Sequence, residues 1–280
     1  MKKIIAAAVA TAFVAPAFAA DITISGDQEV SWADNNGVTT LEVDGDFNIK
    51  ASSETANGLS VSADINVRED GGQDGGTSLT IGGPFGKIDL GDASSALDAV
   101  DDVTDWGYEL TTGTGNEDAS VLWTLPSLAE GLTVNLSFNA DSTSNDTTIA
   151  AGNGYSAKYA IGDGSIRYGV GDFEDGSESS YVAATYSVAG IGLAAEQYTT
   201  TTAGGVDTDN DAIGVTYSSG DITLAIETLE TSSGGTVSAD ITTLGVHYSM
   251  GGGVTAFVEQ KDDDKDASAE TTAVGVAFKF

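Results

Sequence analysis

Along most of this chain, large apolar side chains recur at every second position with small or polar residues between them. The segment Ala273–Phe280 places Val274, Val276, Phe278 and Phe280 on one face, and Ala273, Gly275, Ala277 and Lys279 on the other. Leu59–Arg68 sets Leu59, Val61, Ala63, Ile65 and Val67 against Ser60, Ser62, Asp64, Asn66 and Arg68. Leu41–Lys50 and Leu132–Asn139 repeat the pattern. Alternation of period two belongs to a strand that shows each side of a sheet a different solvent. Sixteen such segments can be traced, at about 22–33, 38–54, 59–68, 77–83, 86–92, 119–125, 132–140, 155–161, 164–171, 179–188, 191–199, 211–218, 221–230, 240–250, 253–261 and 271–280.

The connectors sort into two kinds. Short, glycine-rich ones fall at Gly82–Phe85, Gly162–Gly164, Ser218–Asp221 and Gly251–Gly252. Longer ones rich in Asp, Gly, Ser and Thr fall at 69–76, 93–118, 141–154, 172–178, 200–210, 231–239 and 262–270, while the tight Asn35–Gly37 link belongs to this second side. An even number of strands with short turns on one side and long loops on the other predicts an all-β fold. It is a transmembrane antiparallel up-and-down barrel, because a soluble sandwich has no reason to sort its loops. Aromatic residues near strand ends, among them Trp32, Phe85, Trp123, Tyr155, Tyr168 and Phe280, suit the interfacial girdles of such a barrel.

The amino terminus adds an address. Lys2 and Lys3 precede an apolar run from Ile4 to Val14, and Ala17-Phe18-Ala19 supplies a small-x-small site. That order predicts a secretory signal peptide over 1–19, too short to span a membrane, followed by a single domain over 20–280. The formal charge of −33 becomes −35 once Lys2 and Lys3 are removed. Such a chain repels nucleic acid and attracts cations. There is no cysteine, so backbone ladders and packing have to hold the fold.

Three stretches carry a resemblance: Asp21-Ile22-Thr23-Ile24-Ser25-Gly26, Gly83-Pro84-Phe85-Gly86-Lys87-Ile88-Asp89-Leu90-Gly91, and the terminal Phe280. With the strand count, they make the chain resemble the general diffusion porins of Gram-negative outer membranes, in particular the compact sixteen-stranded branch of photosynthetic and related proteobacteria. The resemblance implies a homotrimer in the outer membrane, in contact with lipid and lipopolysaccharide. It also implies passive diffusion of small hydrophilic solutes and ions, and a third loop folded into the pore.

The third long connector, Asp92–Asp118, is the longest and contains no Lys or Arg. Its acids Asp98, Asp101, Asp102, Asp105 and Glu109 are the candidate pore constriction. Ala96-Leu97, Ala99-Val100 and Val103 between them predict a short helical turn packed on the wall. The family sets basic wall residues against such acids, and the inward positions offer Lys50, Arg68, Lys87, Lys158 and Arg167, with Lys279 at the last strand. Inward acids (Asp27, Glu29, Glu42, Asp44, Asp46, Asp64, Glu196, Glu227, Glu259) outnumber them, so the lumen is expected to be negative and to prefer cations.

Other chemistry is sparse. Asp207-Thr208-Asp209-Asn210-Asp211 opens like a calcium loop, but Ala212 and Ser218 stand at the positions that need Gly and Glu. No cofactor is expected, although acidic external loops could hold Ca²⁺ loosely. His247, the only histidine, is expected to line the lumen, and with no nucleophile motif around it the chain does not read as an enzyme. Trp106 and Tyr108 are the one hint of an aromatic track. The alternative reading is a non-conducting acidic surface β-protein, an adhesin or a calcium-dependent surface protein.

Overall fold

A computed structural model describes residues 21–68, 77–108, 110, 118–139, 152–173, 176–266 and 270–280, apart from the side chains of Arg68 and Asp118. The signal segment 1–19, Glu109 and much of the loops at 69–76 and 141–154 lie outside the described residues. Sixteen antiparallel strands form one closed barrel in which each strand pairs with its neighbours in sequence. They are β1 (Asp21–Asn35), β2 (Val38–Glu54), β3 (Ser60–Arg68), β4 (Thr77–Gly83), β5 (Gly86–Ser94), β6 (Asp118–Thr124), β7 (Leu132–Phe138), β8 (Gly152–Ile161), β9 (Gly164–Phe173), β10 (Glu178–Val188), β11 (Ile191–Thr201), β12 (Asp207–Ser219), β13 (Ile222–Ser233), β14 (Thr236–Gly251), β15 (Val254–Asp263) and β16 (Thr271–Lys279).

Closure joins β1 to β16 in a register running from Asp27↔Lys279 to Asn35↔Thr271. Just past the end of β16, Phe280 exchanges two backbone hydrogen bonds with Gly26, at 3.1 and 3.0 Å. Its ring lies over Gly26 and meets Phe47 edge-on, with centroids 5.7 Å apart. A closed ladder leaves no edge strand, which is the condition for carrying β-structure through hydrocarbon.

The alternation faces as expected. Ile22, Ile24, Leu41, Phe47, Tyr155, Ile166, Ile213, Val246 and Val276 point outward and are exposed, Ile22 to 70%. An apolar belt of this extent belongs in lipid rather than water. The packed core lies inside the barrel instead, between the wall and the loop that joins β5 to β6.

Two connectors differ from expectation. The 200–210 loop shrinks to 202–206, because β11 runs to Thr201 and β12 begins at Asp207; the 231–239 loop becomes a turn at Gly234–Gly235 between β13 and β14. Polar composition pointed to loops there. Beyond the lipid belt, however, side chains meet water while the backbone ladder continues, and cross-strand bonds reinforce it. Gln197 donates to Asp211 (2.7 Å), Thr199 to Asp209 (2.7 Å) and Thr201 to Asp207 (2.8 Å). The calcium-loop-like segment is therefore straight strand. With tight turns also at Asn36–Gly37, loop lengths are less cleanly sorted than the pattern implied.

Candidate pore constriction

The loop between β5 and β6 enters the barrel, and its first part is a helical turn. Ser95 Oγ accepts the backbone N–H groups of Leu97 (3.2 Å) and Asp98 (3.1 Å), capping the turn. The N–H of Asp101 donates to the carbonyl of Leu97 at 3.1 Å. Leu97 and Val100 are 1% exposed and settle over Gly169, with Leu97 also over Gly154; a Cβ on either glycine would lie 3.4 Å from Leu97. Inward glycine on β8 and β9 is what lets the turn lie against the wall. Burying such side chains stabilises the docked loop by about 1.5–3 kcal/mol each.

After Asp102, whose backbone is left-handed (φ 51°), the loop bends and crosses the wall. Three glutamates receive it. Glu196 on β11 accepts Val103 N–H at 2.9 Å and the Thr104 hydroxyl; Glu227 on β13 accepts Trp106 N–H; Glu259 on β15 accepts Tyr108 N–H at 2.7 Å and Leu110 N–H at 2.9 Å. The acceptors lie on every second strand: β11 takes 103 and 104, β13 takes 106, and β15 takes both 108 and 110. Tyr181 also donates to Glu196, at 2.6 Å, and His247 Nε2 donates to Glu259 at 2.9 Å.

The three carboxylates are 5%, 1% and 1% exposed. They were expected to charge the lumen and instead lie sealed between loop and wall, where each bond from an N–H to a carboxylate contributes about 1.5–3 kcal/mol. Their inward neighbours along the strands carried the missed signal: Ala194 and Tyr198 flank Glu196, Ala225 and Leu229 flank Glu227, and Phe257 precedes Glu259. Apolar residues facing into a water-filled barrel mean that something covers them. His247, expected on the lumen, is 8% exposed for the same reason; Tyr108 packs edge-on against it (centroids 4.9 Å) and stacks on Phe257 (5.2 Å).

The remaining loop acids differ from one another. Asp98, Asp102 and Asp105 are partly exposed, whereas Asp101 is 7% exposed and turned inward. Burial, with Asp102, Asp98 and Glu196 nearby, pushes the Asp101 carboxyl up to about 8. Burial and then Asp102 push Asp105 up to about 6, against the Gly107 backbone hydrogen bond that lowers it. At neutral pH Asp101 is therefore largely protonated and adds little to the field, while Asp105 is mostly ionised.

Three of the basic wall residues are engaged. Lys50 pairs with Asp64 at 3.4 Å and Lys87 with Asp89 at 2.8 Å. Arg167 donates to the carbonyl of Val100 at 2.9 Å and to that of Asp101 at 3.5 Å, so it holds the turn rather than facing open water. Lys158 stands opposite Arg167 in register, and the backbone of Arg68 lies opposite Asp46. Among the described residues no three His, Asp or Glu side chains come together to hold a metal ion.

The comparisons agree with this geometry. No curated protein sequence matches the chain. Solved structures do: a porin refined at 1.8 Å resolution (TM-score 0.77, 20% identity, 93% of this chain and 100% of that one) and Salmonella typhi OmpF in complex with daunomycin (TM-score 0.78, 14% identity, 94% and 98%). The trimer form of the Vibrio cholerae outer membrane protein OmpT also matches (TM-score 0.71, 16% identity, 94% and 100%). At these identities the likeness speaks for the fold. The sequence itself matches the model of the Gram-negative porin family over residues 6–277. A sixteen-stranded closed barrel with its third long loop pinned inside is thus accompanied by a match over almost the whole chain, and the protein belongs to the Gram-negative porin family.

Proposed function

We propose that this outer-membrane porin is a cation-preferring diffusion channel for small hydrophilic solutes, working as a homotrimer. The observation that carries the selectivity is the distribution of charge around the lumen. The loop lies against β8–β16 and presents Asp98, Asp102 and Asp105 to the remaining opening. On the lumen face of β1 and β2, Asp27 stands opposite Asp46 and Glu29 opposite Asp44 in register. Acids therefore line both sides, whereas Lys50 and Lys87 are paired with wall carboxylates and Arg167 is committed to loop carbonyls. A narrow passage bordered by one sign of charge favours counter-ions.

Support for the trimer comes from the likeness to a porin solved in trimer form and from the outward face of β1 and β2. There Gly45 stands opposite Gln28 in register, allowing close approach of another copy. Membership of the porin family and the likeness to porin structures favour a channel over an enzyme. Purified protein in a planar bilayer should give discrete current steps. On a gel, an unheated SDS sample should migrate at three times the mass of a boiled one. Silent bilayers would remove the channel reading, and a single monomeric band would remove the trimer.

A further inference from the structure

Between residues 105–108 of the loop and the wall at β1, β12–β14 and β16 lies a cavity of about 510 Å³. Trp106, Tyr108 and Asp105 come to it from the loop, Asp27 from β1, and the hydroxyls of Thr216 and Thr223 from β12 and β13. Resting on the channel reading above, we infer that this chamber is a saturable site for an organic ammonium ion that carries an aromatic or apolar body.

Four observations support the class of ligand. The volume is that of a small-molecule site rather than of a bare ion. Trp106 rests on Gly214 and lines the chamber, so an aromatic surface borders it. The one ring-cation contact in the chamber is internal: Lys279, itself part of the lining, places Nζ 6.0 Å from the centre of the Tyr108 ring, which leaves Trp106 as the ring open to a ligand. Finally, Asp105 Oδ1 is buried without a hydrogen-bond partner among the described residues, although it belongs to a group that is ionised near neutrality. A buried carboxylate oxygen in that state favours a charged donor. An ammonium supplies the donor, and its apolar body covers Trp106. A hydrated potassium ion offers only charge, and a neutral sugar gains nothing from the negative lumen.

The test uses the purified full-length barrel in planar bilayers in KCl at pH 7.5, with phenethylammonium, methylammonium and 2-phenylethanol as probes. Phenethylammonium should reduce the potassium current saturably, at a half-blocking concentration about tenfold below that of methylammonium. Trp106→Leu, which keeps apolar packing on Gly214, should bring the ratio of the two concentrations close to one. Asp105→Asn should raise both concentrations. Reading a ratio separates loss of the ring from a general change of pore width. A current that falls only linearly with phenethylammonium would overturn the inference, as would a ratio unmoved by Trp106→Leu or equal block by 2-phenylethanol. Absence of potassium current would instead count against the channel reading itself.

Discussion

The six-membered ring of Trp106 occupies the space in which any Cβ at position 214 would stand: Cζ3 lies 2.8 Å from that point. Glycine at 214 is thus the wall's half of a loop-to-wall fit, next in register to Glu227, which accepts the Trp106 N–H. Gly214→Ala should push the ring into the lumen while leaving the ladder of β12 intact. The expected reading is lower single-channel conductance with unchanged thermal stability of the barrel in detergent. An unchanged conductance would mean that Trp106 is not held by this contact.

The glutamate anchors give a second expectation. Glu227→Ala and Glu259→Ala leave loop N–H groups without their carboxylate acceptors, a loss of about 1.5–3 kcal/mol per bond. Because the loop is joined at several points, one substitution should loosen it rather than release it. Current noise and limited proteolysis near Trp106 should both rise, and the double variant should exceed either single one. If the noise of the double variant equals that of the parent, packing alone holds the loop.

Much of this molecule could be read from its sequence, and the exceptions have a common cause. Periodicity of two located all sixteen strands, since lipid on one side and water on the other impose it on every strand. The helical turn over 95–100 was also legible, from small and apolar residues spaced around the acids. What single-strand patterns conceal is which inward residues something else covers. Glu196, Glu227 and Glu259 look the same as Asp27 or Asp44 along their strands. Only the loop crossing above them makes the difference, and that contact spans about 90 to 150 positions of sequence. Arg167 faces inward as expected, but that its partners are carbonyls of the loop was hidden for the same reason.

Proton uptake by the loop should tune selectivity. Both carboxyls are raised, Asp105 to about 6 and Asp101 to about 8, so both bind protons more tightly in the folded loop than as free side chains. Raising pH therefore adds negative charge in two stages, near 6 and near 8, and cation preference should climb through that range. By the same sign, the docked loop holds the Asp101 proton that the free side chain would release, so its stability should fall as pH rises from about 3.8 to about 8 and level off above that. Permeability ratios measured from pH 5 to 9 check this; a flat profile would refute it.

The same argument separates two neighbours. At pH 7, Asp105→Asn removes a charge that is present, whereas Asp101→Asn replaces a group already mostly protonated. Asp105→Asn should lower cation preference, with Asp101→Asn close to the parent until the pH passes about 8. Equal effects at pH 7 would place the Asp101 carboxylate in open solvent.

Closure of the barrel rests partly on Phe280, whose backbone pairs with Gly26 and whose ring touches Gly26 and Phe47. Phe280→Ala keeps the backbone bonds and loses about 1–2 kcal/mol of ring contact. The expected result is a lower temperature for the heat-induced mobility shift on SDS gels, with unchanged ion selectivity. No shift in that temperature would show that the ring contributes nothing to closure.

The central claim is that acids border the passage on both sides and outnumber the basic residues, of which Lys50, Lys87 and Arg167 are engaged with wall carboxylates or loop carbonyls. Its most direct test is the zero-current potential of the purified protein in a planar bilayer under a tenfold KCl gradient at pH 7.5. A potential of the sign set by potassium, growing as total salt is reduced and screening weakens, is the predicted result. A potential of the sign set by chloride would contradict the account.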